Sequence, residues 1–279
     1  MRITVLIENT KTDGMLAEHG LCLYVEYGSK AYLIDSGASR QFATNAENLS
    51  IDLDKVEKAF LSHAHYDHSG GYEEFFERNR HAKVCLQRSA KNRYYYKIIG
   101  PIKKYIGLPE GILSKYEDRF EYIDGAANID EGIHIVPHSS DGILERAKKT
   151  HMCVAVGKNV KFDDFSHEQT VVFEEPDGLV CFNSCSHAGV DIIMDEVKRA
   201  FPDKRVKAYI GGFHMMGATG VTSCGYKKEE VRAVANKLLG FGDTVYYSGH
   251  CTGLIAFDWL KDTLQERLVA IRPGKVFEL

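Results

Sequence analysis

The chain has 279 residues, of which 44% are hydrophobic and 27% are charged, and its formal net charge is −4 at pH 7. Such a composition can bury a sizeable core, so general disorder of the chain is excluded. No basic excess points to a nucleic-acid partner, and no apolar run is long enough to span a bilayer, so neither partner is expected. Because the chain opens on a strand-like stretch without a charged leader, a cytoplasmic location is expected.

The first third of the chain alternates strands with short helices. Apolar and β-branched runs predict strands at residues 3–8, 21–27, 31–34, 56–62 and 82–86. Helices are predicted at residues 40–48 and 71–79, the second from aromatic residues at helical spacing. This alternation predicts half of an α/β fold.

Residues 88–170 are less regular and are predicted to form an insertion or lid within one domain that spans residues 1–279. Within this segment, residues 92–97 read Asn-Arg-Tyr-Tyr-Tyr-Lys and mix basic with aromatic side chains. One interpretation is a surface helix or loop with solvated charges. The other is a contact for a substrate that carries a phosphate and an aromatic ring.

From residue 170 the regular pattern returns. A hairpin is predicted from residues 170–174 and 179–183, across the turn sequence Glu-Pro-Asp-Gly. Helices follow at residues 189–201 and 228–239, and strands at residues 206–211 and 244–248. The second half therefore repeats the order of strand and then helix.

Residues 63–68 read His-Ala-His-Tyr-Asp-His and follow an apolar stretch. Side chains two apart on an extended chain point the same way, so His63 and His65 can converge on one ion. Asp67 and His68 follow where the chain turns towards a helix, and they can hold a second ion. Imidazole and carboxylate groups are ligands of zinc and its first-row neighbours, so this hexapeptide predicts a metal site.

Three later histidines each follow a predicted strand, namely His187, His214 and His250. Sheets with parallel strands deliver functional groups from strand ends, so these histidines are candidates for the same chemistry. The seven cysteines are scattered without a CxxC pair, and free thiols are expected. Cys185 and Cys251 lie beside two of the histidines and are expected to be small buried residues, although a soft thiolate there would shift the metal preference.

The hexapeptide resembles the signature of the metallo-β-lactamase superfamily. Other stretches resemble its dihydropteroate-synthase-like branch, which includes archaeal dihydropterin-methyl-ribofuranosylaminobenzene-phosphate synthases; these stretches are residues 16–21, 33–37, 185–189, 211–214 and 250–253. The resemblance implies an αββα sandwich and a dinuclear metal hydrolase. It also implies two zinc ions per chain, with manganese or iron as alternatives.

By the same resemblance, one ion is assigned to His63, His65 and His187. The other ion is assigned to Asp67, His68 and His250. His138 is the rival for the third histidine of the first ion, because its segment loosely matches the usual position of that ligand.

The remaining candidate residues are expected to act around the ions. Asp67 is expected to orient the nucleophile, and His214 to stabilise charge or protonate a leaving group. Asp35 is expected to anchor the metal loop by hydrogen bonds. Glu18 and His19 are expected to line the pocket, with a simple turn into the next strand as the alternative.

One feature departs from the superfamily pattern. Many members bridge their two ions with an aspartate at a strand end, but the comparable stretch here, residues 180–187, reads Val-Cys-Phe-Asn-Ser-Cys-Ser-His. The usual bridging ligand is therefore absent from this stretch.

The expected activity is hydrolysis of a small phosphorylated or ester-like metabolite, for example one related to pterin-ribosyl phosphate. The alternatives are a synthase of pterin metabolism, an iron-containing redox enzyme, and a non-enzymatic metal-dependent binding module.

Overall fold

The structure is a computed structural model that describes residues 1–100 and 102–279. Pro101, which belongs to the predicted 88–170 segment, lies outside the described residues. The chain divides into two compact units. The first unit comprises Met1–Asp124, His151–Asp163 and Arg272–Leu279, and the second comprises Gly125–Thr150 and Asp164–Ile271.

The strands of the described chain are, in order, β1 (Arg2–Ile7), β2 (Cys22–Tyr27), β3 (Lys30–Ile34), β4 (Val56–Phe60), β5 (Lys83–Gln87), β6 (Tyr94–Ile99), β7 (Ile102–Tyr105), β8 (Phe120–Ile123), β9 (Ala127–Asp130), β10 (Ile133–Pro137), β11 (Met152–Val156), β12 (Asn159–Phe162), β13 (Gln169–Glu175), β14 (Gly178–Phe182), β15 (Val206–Ile210), β16 (Met216–Gly217), β17 (Gly220–Cys224), β18 (Val245–Ser248), β19 (Leu268–Ala270) and β20 (Val276–Glu278). The helices are α1 (Gln41–Asn48), α2 (Tyr66–Ser69), α3 (Tyr72–Arg78), α4 (Ile112–Lys115), α5 (Ile143–Thr150), α6 (Val190–Ala200), α7 (Lys228–Leu239) and α8 (Leu254–Leu264).

A seven-stranded sheet forms the centre of the first unit. Its strand order is β20-β1-β2-β3-β4-β5-β8. The pairs β3–β4, β4–β5 and β5–β8 are parallel, so the carboxyl ends of these strands meet at one edge. The metal motif begins directly after β4, at this edge. The sheet thus delivers residues 63–68 to the place where parallel strands usually present functional groups.

Helix α3 shows why the motif loop keeps its place. Tyr72, Phe75 and Phe76 lie on one face of this helix and are all buried. Each such side chain contributes about 1.5–3 kcal/mol when it leaves water. Two glycines precede the helix, and a Cβ atom on Gly71 would lie 2.2 Å from the carbonyl oxygen of Ser36. The glycines therefore allow the backbone after the motif to pass close to the loop that follows β3.

The first unit also contains a four-stranded sheet in the order β12-β11-β6-β7. It includes most of residues 92–97, for which a surface helix or loop was one interpretation. That interpretation is wrong, because residues 94–99 pair with β11 and, on the other side, with β7. Short exposed strands of this kind carry little apolar alternation, so their sequence resembles a polar loop.

The second unit has its own seven-stranded sheet, in the order β19-β18-β15-β14-β13-β10-β9. Strands β13 and β14 form the predicted hairpin, and β14, β15, β18 and β19 are parallel. Helix α7 packs through Val231, Val234, Ala235 and Leu238, which are its buried residues and recur at helical spacing. Strands β16 and β17 form a separate hairpin.

The mixed α/β class predicted from the sequence is confirmed by these elements. The predicted strands and helices of residues 3–86 and 170–248 match observed elements to within two residues at each end. Among the described residues, none of the helices combines the length and apolar character that crossing a membrane would require.

Candidate functional site

The metal motif forms a compact cluster of buried imidazoles in the first unit. The ring centroids of His63 and His65 are 4.6 Å apart, and those of His63 and His68 are 4.2 Å apart. All three side chains are buried, as is Asp67. His65 ends the extended segment, with φ −109° and ψ 151°, and α2 begins at the next residue. This change from strand to helix turns the four ligand-type side chains of a six-residue stretch towards a common region.

Asp35 supports this cluster from the loop after β3. Its carboxylate accepts hydrogen bonds from the Ser62 backbone at 2.7 Å and the Ser62 hydroxyl at 2.6 Å. Its Oδ2 atom also lies 2.8 Å from Nδ1 of His68. Burial of the His68 ring disfavours its charged form, but the carboxylates of Asp67 and Asp35 outweigh that effect and raise the pKa of His68 to about 10. Asp35 thus fixes the orientation of the His68 ring and leaves Nε2 as the ring atom that can bind a metal.

Glu18 and His19 occupy two different surroundings in the first unit. The carboxylate of Glu18 accepts hydrogen bonds from the backbones of Ala38 and Ser39 at 3.0 and 3.1 Å, and from the Ser39 hydroxyl at 2.6 Å. Glu18 therefore holds the loop that leads into α1. His19 instead lies beside the motif, because its Nε2 atom is 3.3 Å from Oδ2 of Asp67.

In the second unit, His187, His214 and His250 follow the carboxyl ends of the parallel strands β14, β15 and β18. His187 and His250 are buried, and the ring centroids of His187 and His214 are 4.0 Å apart. The Sγ atom of Cys185 lies within 4.8 Å of a ring nitrogen of each of these histidines and of Sγ of Cys251. The sequence placed Cys185 beside His187, but it did not show that this thiol is also close to His214 and His250.

The backbone around these residues is strained. Ser186, His214 and His250 have left-handed φ angles of 54°, 47° and 50°. A non-glycine residue in this region costs on the order of 1–3 kcal/mol, and such residues concentrate at functional sites. Asp35 in the first unit has the same property, with φ 59°. Both units thus adopt unfavourable backbone angles at residues predicted to serve the metal site.

Glu168 supports His187 in a way that the sequence analysis missed. This buried carboxylate accepts hydrogen bonds from the backbones of His187 at 2.7 Å and Ala188 at 2.8 Å. Burial raises the pKa of Glu168, and the nearby His138 and the two backbone donors offset part of that rise. Phe165 stacks on the His187 ring with centroids 5.2 Å apart. His167, also buried and not singled out from the sequence, immediately precedes Glu168.

His138, the rival ligand, is held by polar groups of the second unit. Its Nδ1 atom lies 2.6 Å from Oε2 of Glu196, and its Nε2 atom lies 3.2 Å from the Thr170 hydroxyl and 3.1 Å from the Asn183 amide. Hydrogen-bond partners thus surround both ring nitrogens. This environment is typical of a structural histidine and disfavours His138 as a ligand.

The basic and aromatic residues near 92–105 largely interact with one another. The Arg93 guanidinium lies 4.6 Å from the Tyr105 ring centroid and 2.7 Å from a carboxylate oxygen of Glu110. Lys103 lies over the ring of Tyr95 at 4.5 Å. These side chains therefore already have local partners around the four-stranded sheet, which disfavours a phosphate contact.

The donor set of each unit is suited to a borderline divalent ion. The first unit presents three buried imidazoles and two carboxylates, and the second presents three imidazoles and two thiols. Nitrogen, oxygen and sulfur donors of this kind are the ligands that zinc prefers in proteins. Burying so many ionisable groups without a cation would carry a large desolvation cost. The residues therefore fit the metal that the superfamily resemblance implies.

Comparison with known proteins agrees with the fold and the motif. Residues 16–142 match the sequence model of the metallo-beta-lactamase superfamily. An uncharacterized protein of Methanocaldococcus jannaschii is 28% identical over 226 residues, which cover 78% of this chain and 80% of that protein. The 7,8-dihydropterin-6-methyl-4-(beta-D-ribofuranosyl)-aminobenzene-5'-phosphate synthase of the same organism is 22% identical over 276 residues, covering 94% of this chain and 90% of the synthase.

A solved structure extends the similarity to the whole chain. It is described as a metal-dependent hydrolase of the beta-lactamase superfamily and superposes with a TM-score of 0.84 at 25% sequence identity. The superposition covers 100% of this chain and 99% of the other. The resemblance inferred from residues 63–68 is therefore confirmed: the chain has the fold of this hydrolase over its whole length, and residues 16–142 are similar to the metallo-beta-lactamase superfamily.

Proposed function

We propose that this protein is a metal-dependent hydrolase that acts on a small phosphorylated or ester-like metabolite. The observation that carries the proposal is the buried cluster of His63, His65 and His68, with Asp35 bound to the third ring at 2.8 Å. A carboxylate that orients a histidine through its second ring nitrogen is a common feature of metal sites.

The proposed metal ligands are those expected from the sequence. They are His63, His65, Asp67, His68, His187 and His250. Zinc, two ions per chain, fits this mixture of imidazole and carboxylate donors. When bound, such ions lower the pKa of water to about 7 and polarise the bond to be cleaved.

The protein's own residues are proposed to position the reactants. Asp67 would bind an ion and orient the attacking water, and its Oδ2 atom lies 3.4 Å from Nε2 of His68 and 3.3 Å from Nε2 of His19. His19 would then restrain Asp67 and line the substrate pocket. His214 would donate a proton to the leaving group or stabilise its charge.

The substrate class rests on the relative that makes a pterin compound. That synthase matches nearly the whole length of this chain. A small metabolite with a phosphate and an aromatic group is therefore the proposed substrate, and a synthase or transferase reaction of pterin metabolism is the second candidate. The two differ in outcome, because a hydrolase adds water to the cleaved bond whereas a synthase transfers the group to an amine or carbon acceptor.

The test is metal-dependent turnover of model substrates by the full chain. Metal-free protein would be assayed with zinc or manganese on aryl phosphomonoesters, phosphodiesters and esters, beside His65→Ala and the matched control His81→Ala. His81 lies outside the motif, is exposed, and has its Nδ1 atom 3.8 Å from Oδ1 of Asp54. Hydrolysis that requires metal, survives in His81→Ala and is lost in His65→Ala is expected. Equal turnover in wild type and His65→Ala would contradict the proposal.

A further inference from the structure

We propose that the Cys185 thiolate is a metal ligand shared between the two proposed metal positions, where many relatives use an aspartate. This inference rests on the proposed function, because it adds a ligand to the same site. It also supplies a bridging ligand where the sequence has no aspartate, in residues 183–187 directly after β14.

The position of Cys185 among the histidines carries the inference. Its Sγ atom lies within 4.8 Å of a ring nitrogen of His187 and, separately, within 4.8 Å of a ring nitrogen of His250. These two histidines are assigned to different ions. Two donors to one ion of this type, each 2.0–2.3 Å from it, lie roughly 3–4.5 Å apart. A single sulfur atom within 4.8 Å of both histidines lies close enough to this range to serve both ions.

The turn that holds Cys185 is fixed by hydrogen bonds of the second unit. Asn183 accepts a hydrogen bond from the Ser186 backbone at 2.8 Å, and the Ser186 hydroxyl donates to the Gly212 carbonyl at 2.6 Å. The Gly212 backbone in turn donates to the Ser184 carbonyl at 2.8 Å. These hydrogen bonds hold the turn on both sides of Cys185, and Cys185 itself is only 2% exposed. Such a preorganised donor is typical of a ligand.

Cys251 has a different role in this arrangement. Its thiol donates a weak hydrogen bond to the backbone carbonyl of Cys185 at 3.6 Å, so it helps to fix the backbone of the turn. A Cβ atom on Gly212 would lie 2.5 Å from Sγ of Cys251, which explains why glycine stands there. Cys251 is thus assigned to positioning the turn, and Cys185 to binding the metal.

A thiolate in this place has a chemical consequence. On metal binding the Cys185 thiol loses its proton to solvent, and the resulting sulfur donor is softer than a carboxylate. The site should therefore prefer zinc over manganese or magnesium. A carboxylate substituted at residue 185 should relax that preference, because oxygen donors suit the harder ions.

The test uses cobalt as a spectroscopic substitute for zinc in the full chain. Wild type, Cys185→Ser, Cys185→Asp and the control Cys224→Ser would be loaded with cobalt. Their near-ultraviolet thiolate-to-cobalt charge-transfer absorption and their metal content would then be measured. Cys224 lies in β17 and is partly exposed. We expect the absorption in wild type and Cys224→Ser, and its loss in both variants of residue 185. Cys185→Asp should keep the wild-type metal content, and Cys185→Ser should bind fewer ions.

The outcomes separate this inference from the proposed function. If wild type binds metal without any thiolate absorption, or if Cys251→Ser removes the absorption while Cys185→Ser keeps it, the assignment of Cys185 is wrong and the hydrolase proposal stands. If wild type binds no metal, the assignment of Cys185 and the hydrolase proposal are both wrong. Retention of the absorption in a folded Cys185→Ser variant, checked by circular dichroism, would also overturn the inference.

Discussion

At the scale of single residues, the carboxylates behind the histidines decide how the site is ordered. Asp35 receives two hydrogen bonds from Ser62 and faces Nδ1 of His68, and it is fully buried. It does so from a left-handed backbone angle, which a side chain without these bonds would not favour. The strain at Asp35 is thus stabilised by the contacts that also orient the metal loop.

Replacing Asp35 should weaken metal binding without removing a proposed ligand. In Asp35→Asn, the amide cannot accept as strongly from Ser62 and no longer favours the tautomer of His68 that exposes Nε2. A loss of about 10–100-fold in zinc affinity is expected, as for other residues that orient ligands. Competition with a zinc-binding dye measures it. Asp52→Asn, which alters an exposed carboxylate bound to the Asp54 backbone, is the control; equal affinity in the two variants would refute the role of Asp35.

The choice between His187 and His138 as ligand can be tested directly. His187→Ala should reduce the zinc bound per chain, whereas His138→Gln should retain it, because both ring nitrogens of His138 already contact Glu196, Thr170 and Asn183. Elemental analysis of both purified variants provides the measurement. Loss of zinc in His138→Gln alone would reverse the assignment.

At the scale of elements, the second unit joins α6 to β10 through one buried carboxylate. Glu196 of α6 accepts hydrogen bonds from the backbones of Ser139 and Ser140 at 2.9 Å each, and it lies 2.6 Å from Nδ1 of His138. Burial raises the pKa of Glu196, but the hydrogen bond and charge of His138 and the serine donors outweigh it and lower the pKa to about 2. The helix is therefore anchored by an ionised carboxylate.

This anchor predicts an acid-dependent loss of stability. Because the folded pKa of Glu196 lies below the unfolded value of about 4.3, the carboxylate stabilises the fold fully above that value and progressively less as pH falls towards 2. The contribution is on the order of 3 kcal/mol. Glu196→Gln should flatten the fall in urea stability of metal-free protein between pH 5 and about 2.5. Asp195→Asn, on the same helix but in an exposed ion pair with Lys237, should leave that slope unchanged; equal slopes in wild type and Glu196→Gln would contradict the role of Glu196.

Sequence patterns predicted some elements better than others for physical reasons. Strands β1 to β5 were predictable because they are short apolar runs that are buried along most of their length. Helix α7 was predictable because its buried residues recur at helical spacing. Strand β7 was not, since three of its four residues are exposed and their sequence resembles a loop. Helix α8 was also missed, although Ala256, Leu260 and Leu264 are buried at helical spacing. The contact of Glu168 with the His187 backbone and the contacts of Cys185 with His214 and His250 join residues far apart in sequence, so no local pattern reports them.

At the scale of the whole molecule, the metal and the fold should stabilise each other. A ligand that binds only the native state adds about 2.7 kcal/mol at a concentration 100 times its Kd. For a chain of this size, that corresponds to a rise of roughly 5 °C or more in the thermal midpoint. The three buried imidazoles and the one carboxylate of residues 63–68 would then be stabilised by the ion rather than by internal pairing alone.

Chelation therefore gives a stability prediction for the full chain. Removing metal with a strong chelator should lower the thermal midpoint of wild type by about 5 °C or more, and added zinc should restore it. Differential scanning calorimetry measures both changes. His65→Ala should start near the lower midpoint and respond little to either treatment. A wild-type midpoint that does not change on chelation would argue against a metal bound by the native fold.

The most direct test of the central claim is the number of zinc ions that metal-free protein binds. Calorimetric titration of wild type and His65→Ala, with His81→Ala as control, would give the stoichiometry and the affinity for each. The proposed site predicts two tightly bound ions in wild type and His81→Ala, and the loss of at least one in a folded His65→Ala variant. Absence of tight binding in wild type, or the same stoichiometry and affinity in His65→Ala, would contradict the assignment of residues 63–68 as the metal site.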